Sequence, residues 1–450
     1  MAETVTGAPR LRRALSLWDL VLYGVIVIQP TAPMSVFGVL SDRGRGHVAT
    51  TILIAMVAML FTAISYGRMA RAYPSAGSAF TYVGQEINPA LGYVTGWSMV
   101  MDYMLNPMIC VIWISQQAHV FAPAVPYWGW AALVALVFTW LNVLGVRTSA
   151  RINAGLAAAM GVVIVAFFVA AARTIFGGAH DGVAFFTRPF YDPATFKTGA
   201  VLGGTSIAVL TYIGFDGIST LSEEAENPRR NILLATVLTC VAIGLLSAVE
   251  VYLAQLLWPA AQPFPDETTA FEYAAGRAWG PLLGIVGFTL VVANFGSGMG
   301  AQLGAARLLF GMGRSNALPK GFFGAIEPKH RIPRNNVLFV GVFAGLGALV
   351  IRDFGLGAEL LNFGALIAFM GVNLAALMRY YVRQREKKLA NLVPPVIGFL
   401  VCLLLWLNLS RTAQIAGAAW MLAGIAFGAW KTRGFRSELV DFSLPAEEES

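Results

Sequence analysis

Apolar runs of about twenty residues, the length an α-helix needs to cross the hydrocarbon core of a bilayer, occur twelve times along this chain. They fall near 17-40, 48-72, 92-120, 127-146, 152-176, 199-222, 232-258, 280-312, 336-351, 356-378, 393-410 and 413-431. Inside hydrocarbon a backbone must satisfy its own N–H and C=O groups, so these runs select an all-α polytopic membrane protein with 12 transmembrane helices. Composition agrees, since 12% of the 450 residues are charged against about 25% in a soluble domain. An excess of 31 Lys and Arg over 24 Asp and Glu would suit nucleic acid if it formed one surface. The basic residues instead sit in short clusters between the runs, which makes the lipid bilayer, and no nucleic acid, the expected partner. With the N-terminus cytoplasmic, 23 of the 31 fall on the inner side, so both termini are expected there. Arg10, Arg12 and Arg13 precede a first run too long for a signal-peptide core, so that helix is expected to stay.

Two runs are unsuited to a plain lipid-facing helix. In the first, Ile28-Gln29-Pro30-Thr31-Ala32-Pro33 places two prolines three residues apart, each without a backbone donor and each disfavouring helix at the residue before it. In the sixth, Thr211-Tyr212-Ile213-Gly214-Phe215-Asp216-Gly217 puts two glycines and a carboxylate at membrane depth, where an ionisable group normally faces a cavity. Breaks five helices apart fit two five-helix repeats, inverted because five is odd. The expected organisation is a tail over 1-16, repeats over 17-176 and 199-378, helices 11 and 12 over 393-431, and a tail over 432-450.

The segments that carry chemistry resemble a known family. GFDGISTLSEEAENPRRNI (214-232), ARLLFGMGRSNALP (306-319) and SYGRMARAYPSAGSAFTYV (65-83) are similar to the sixth helix and its loop, the end of the eighth helix, and the loop between helices two and three of the amino acid-polyamine-organocation transporters. The resemblance implies a LeuT-like 5+5 inverted repeat with helices 1 and 6 broken around the substrate, and alternating access by rocking of helices one, two, six and seven. Many amino acid carriers of the family have a Gly-Ser-Gly type break in helix one whose bared amides hold the substrate carboxylate. Here Gln29-Pro30-Thr31-Ala32-Pro33 stands instead; prolines supply no N–H, so anion binding at the break should be weaker. The LSLWDLVLYG start, this break and GWSMVMDYMLNPM in helix three look most like the putrescine-importer branch.

The substrate-binding residues expected on that resemblance are Ile28, Gln29, Pro30, Thr31 and Ala32 at the first break, with Asp102, Tyr103 and Asn106 on helix three. Thr211, Tyr212, Gly214, Phe215 and Asp216 follow on helix six, and Ser297 and Ala301 on helix eight. An alkyl diamine needs apolar and aromatic walls for its methylenes and negative potential for its ammonium groups. Asp102 lies ten residues beyond Gly92, about 15 Å into its helix, at a depth suited to an ammonium, a proton or an interhelical bond. Asp216 reads either as a cap on the second half-helix or as a substrate or proton group; proton coupling is expected through Asp102 or Asp216, in preference to sodium. Glu223 and Glu224 are expected to pair with Arg68 and Arg71 as a cytoplasmic gate, or to form a solvated charged face.

Cys110, Cys240 and Cys402 sit inside apolar runs, and His47, His119, His180 and His330 are scattered, so neither a metal site nor a cofactor is expected. No GxSxG or HExxH motif points to an enzyme. The function read from sequence is a secondary transporter of the cell inner membrane, monomer or homodimer, importing a small organic amine such as putrescine. A cationic or neutral amino acid transporter or exchanger is the alternative, and a transporter-like sensor or channel a remote one.

Overall fold

The computed structural model describes residues 15–73, 78–144, 150–179, 181–221, 225–260, 262–314, 317–327 and 332–434, and contains no β-strand among them. Its helices in chain order are α1 (Leu17–Ile28), α2 (Ala32–Arg43), α3 (Val48–Ala72), α4 (Ser78–Glu86), α5 (Pro89–Phe121), α6 (Tyr127–Val143), α7 (Ala150–Gly177), α8 (Val183–Thr187) and α9 (Thr198–Ala208). They continue with α10 (Pro228–Leu257), α11 (Ala270–Ala278), α12 (Leu282–Arg314), α13 (Lys320–Phe323), α14 (Arg334–Ile351), α15 (Phe354–Ala376), α16 (Leu389–Leu407) and α17 (Arg411–Lys431). Among the described residues ten spans are long and apolar enough to cross a membrane, and the bent pair α1/α2 makes an eleventh. The 17-residue α6 accounts for the remaining apolar run, so each of the twelve runs appears as helix.

Helix boundaries follow local chemistry. Ser16 and Asp19 form a reciprocal capping box that starts α1, with the Ser16 N–H donating to Asp19 Oδ2 at 2.9 Å. Asn88 accepts the Leu91 N–H at 2.8 Å ahead of Pro89 at the first position of α5, where a missing N–H costs nothing. Asp353 caps α15 in the same manner through Leu356.

Both anticipated breaks are present. After Ile28 the chain turns through Gln29 at φ 66° and resumes as α2 with its axis bent by 48°. The sixth span runs as α9, tightens to a 3₁₀ turn over Val209–Tyr212, opens at Ile213 and Gly214, and continues as 3₁₀ helix over Phe215–Leu221. Gly214 has φ 117°, and a Cβ there would stand 3.0 Å from Val27 Cγ1 and 3.3 Å from Ile28 Cγ1. The glycine thus serves two needs, a backbone region closed to other residues and the close approach of the second break to the first.

Around these breaks α3 packs along α10, and α5 lies against α12 and α15. One face carries the N-terminal end of α1; we call it the near face. There the segment after the sixth span is tied to the first, the Glu226 N–H donating to the Leu15 carbonyl at 2.8 Å. On the far face α11 lies over α2, where a Cβ on Gly38 would collide with the Glu267 carbonyl. This short helix between the seventh and eighth spans was not anticipated from sequence, since nine residues containing Glu272 and Arg277 give no membrane signal.

Candidate substrate site

The first break is poor in donors and rich in acceptors. Pro30 and Pro33 have no N–H, and the amides of Ala32 and Met34 are taken by the carbonyls of Gln29 (3.0 Å) and Thr31 (3.1 Å). On the other side of the break, Val25 is the last residue of α1 whose carbonyl receives a backbone bond, from Gln29 at 3.1 Å. The carbonyls of Ile26, Val27 and Ile28 accept none among the described residues, because Pro30 and the turn at Gln29 remove their helical donors. The negative end of the α1 dipole is therefore bare, while the positive end of α2 is blunted.

A cavity opens beside it, lined by Val27, Ile28, Gln29, Ala32, Ser35 and Val36 from the first span and Asn106, Ile109 and Cys110 from α5. Leu210 and Ile213 of the sixth span, Asn294 and Ser297 of α12, and Phe354 of α15 complete the wall. Gln29 Nε2 bridges to the Ala293 carbonyl at 2.7 Å, and Asn294 Nδ2 donates to Ser35 Oγ at 3.1 Å, fixing the first break to α12. Ser297 hydrogen-bonds with Cys110, which also reaches Asn106 Oδ1 at 3.8 Å. Of the residues expected from sequence, this wall brings together Ile28, Gln29, Ala32, Asn106 and Ser297. Ser35, Asn294 and Phe354 were missed. For Asn294 the available signal was an amide three residues before Ser297 in an apolar run, which places both on one helix face.

One turn along α5 from Asn106, about 6 Å toward the near face, lies a layer of acids and phenols. Asp102 and Asp216 are both buried and within electrostatic reach of one another and of Tyr66 and Tyr103. The Asp216 carboxylate lies beside the backbone N–H groups of Gly214, Gly217 and its own residue, where the capping reading would have it. Asp102 differs, for none of the described residues donates a hydrogen bond to it. Phe215 packs edge-on to Tyr66 (centroids 5.6 Å apart) and close to Phe369 of α15 (5.3 Å). Tyr66 and Phe369 were not anticipated, because only the tertiary arrangement carries α3 and α15 to this layer.

Other expected residues take packing positions. Tyr212 donates its hydroxyl to the Ile52 carbonyl at 2.9 Å, Thr211 bonds back to the Ala208 carbonyl, and Thr31 Oγ1 contacts Met160 Sδ of α7 at 3.8 Å. Pro30 is buried at the turn, and Ala301, one turn beyond Ser297, lies outside the cavity wall.

On the near face Ser78 Oγ and Ser219 Oγ lie 3.2 Å apart beneath Asp216. Glu223 and Glu224 lie outside the described residues. Arg68 donates to the Ala390 carbonyl at 2.7 Å and to Asn391 Oδ1 at 3.2 Å on α16, and Arg71 is exposed. A different ion cluster holds this face, with Glu86 of α4 receiving Arg379 at 2.5 Å, Arg383 at 3.2 Å and the Tyr73 hydroxyl at 2.7 Å. Burial, followed by the hydrogen bond to Glu86, pushes the Tyr73 phenol up to about 12. The three cysteines are buried and free. His47 bonds with the Gly44 carbonyl and Asp192 N–H, and His180 and His330 lie outside the described residues. No group of metal-ligating side chains forms among the described residues.

Apolar spans broken twice around a polar cavity at membrane depth define a multi-pass membrane transporter. Residues 34–442 match the family described as Amino acid permease, and the chain belongs to that family. Its family and relatives are permeases, not enzymes. It is 33% identical over 446 residues to the low-affinity putrescine importer PlaP of Escherichia coli strain K12, covering 97% of each chain. It is 24% identical to the branched-chain amino acid permease BcaP of Bacillus subtilis over 94% of each. To the vacuolar cationic amino acid transporter 4 of Arabidopsis thaliana it is 27% identical, over 84% of this chain and 64% of that one.

Proposed function

We propose that this permease imports a small organic diamine, putrescine or a related polyamine, into the cell by alternating access coupled to protons. The observation that carries the reading is the first break. Two amide donors are missing at Pro30 and Pro33 and those of Ala32 and Met34 are taken, which leaves Thr31 as the one unpartnered amide of the turn, while the Val27 and Ile28 carbonyls stand bare beside the cavity. One ammonium sits against those carbonyls and the amides of Asn106 and Asn294. The second lies about one turn away, comparable with the nitrogen spacing of a four-carbon diamine, against Asp102 and the aromatic faces of Tyr103 and Phe215. Asp102, which lacks a protein donor, is the first choice to exchange a proton for the ammonium; Asp216 is the second. Identity to a protein named as a putrescine importer supports the substrate.

In this reading spans one to five and six to ten are inverted repeats, the near face is cytoplasmic and the membrane is a bacterial inner membrane, as the distribution of basic residues favours. Glu223 and Glu224 join Arg71 in closing the inner mouth. A cationic or neutral amino acid carrier or exchanger is the second reading, favoured by the names of the relatives from Bacillus and Arabidopsis. Labelled putrescine uptake into proteoliposomes under an imposed pH gradient tests the proposal. Saturable, gradient-driven entry is expected; entry of amino acids alone would overturn it.

A further inference from the structure

Away from the cavity, α10 carries an acid to which no role has been given. Glu250 lies 22 residues past Pro228, about 33 Å along the helix, and is fully buried. Neither of its carboxylate oxygens has a hydrogen-bond partner. Ser247, three residues earlier and so on the same side of the helix, is also fully buried with its Oγ unpartnered. Among the described residues, other buried Ser and Thr hydroxyls such as those of Thr205, Ser115 and Thr236 bond back to the carbonyl four residues earlier.

Helix α10 packs against α1, α2, α3, α7, α11 and both 3₁₀ stretches of the sixth span. Charged groups on those elements include Asp19, Arg43, Arg68, Arg173, Asp216 and Glu272, and the phenols Tyr23, Tyr66 and Tyr212 are also there. None of them acts on Glu250, whose burial no neighbouring charge offsets. An ionised carboxylate without donors is disfavoured in such a place, so the packing seen here suits the neutral acid. An ionisable residue inside a membrane segment is retained at a cost and marks an ion or proton path.

We propose that Glu250, with Ser247 beside it, is a proton-carrying site of the transport cycle. The inference rests on the proton-coupled reading above and adds a carrier distant in sequence from Asp102 and Asp216. A proton from far-face water resides on a Glu250 oxygen in the packing seen here. As α10 shifts against α7 and α11, water reaches the site from the near face and takes the proton, and the Ser247 hydroxyl then donates to the carboxylate left behind.

Infrared difference spectra of the full chain in liposomes, wild type against Glu250→Gln, read this proton directly. The wild type should show a carboxylic acid C=O band that the variant lacks and that shifts when putrescine is added. In the same vesicles Glu250→Gln should keep putrescine exchange and lose gradient-driven accumulation, and Ser247→Ala should move the band. An identical band in wild type and Glu250→Gln, an unmoved band in Ser247→Ala, or undiminished accumulation by Glu250→Gln would overturn the proposal. Absence of putrescine uptake by the wild type would strike the substrate reading alone, because the band reports the proton without any substrate.

Discussion

The two broken spans solve the same problem with opposite chemistry. Each must interrupt a helix in hydrocarbon and leave backbone groups for a substrate. In the first, prolines delete donors, so the break ends as three carbonyls and a side-chain bridge from Gln29 to Ala293. In the sixth, a glycine opens the chain and a carboxylate covers the freed amides, Asp216 binding the N–H groups around Gly214 and Gly217. Both routes leave the region between them short of positive dipoles. A site for a cation needs that; a site for a carboxylate needs the reverse.

The difference can be broken most directly at the acids. Asp102→Asn is expected to lower kcat/KM for putrescine uptake about 100-fold or more, the effect of removing one partner of a buried charge pair, ~3–5 kcal/mol. Asp216→Ala should reduce uptake too and, unlike Asp102→Asn, should lower thermal stability by about 1 kcal/mol through the lost cap. Equal thermal stability of the two variants would erase the distinction drawn between them.

Restoring donors to the first break sharpens the comparison. Pro30→Gly with Pro33→Ser returns two N–H groups to the positive end of α2, and inhibition of putrescine uptake by amino acids should strengthen about tenfold. Gln29→Ala removes one neutral hydrogen bond at 2.7 Å and should raise KM about fivefold, ~1 kcal/mol. An unchanged KM would show that the bridge to α12 does not position the break.

The effect furthest from the substrate is expected at the far face. Glu272 accepts a hydrogen bond from Gln117, yet burial dominates and lifts its carboxyl from the ordinary 4.5 to about 8. A folded-state value above the unfolded one means the associated stability is full below about 4.5 and is lost as pH rises to about 8. Thermal unfolding of Glu272→Gln should therefore be flatter than wild type across that window. A wild-type midpoint that does not fall with rising pH would contradict the assignment.

The spans were legible because a bilayer demands twenty-residue apolar runs, and the breaks because Pro30, Pro33 and Gly214 act locally. That Asp102 and Asp216 would be buried was legible because both acids lie inside apolar runs. Other parts were set by contacts distant in sequence. Tyr212 looked like a cavity aromatic, but its hydroxyl meets the carbonyl of Ile52 on α3. Asn294 and Phe354 reach the cavity only after α12 and α15 fold around α5, and Glu250 stood unnoticed in an apolar run until its oxygens were seen to lack donors.

The central claim is that the first break favours an amine and disfavours a carboxylate. Putrescine and ornithine differ by one α-carboxylate, so their competition for labelled putrescine uptake in one set of proteoliposomes isolates that group. Ornithine should inhibit at least about tenfold more weakly than unlabelled putrescine. Equal or stronger inhibition by ornithine would show that a carboxylate is held after all, and would contradict the central claim.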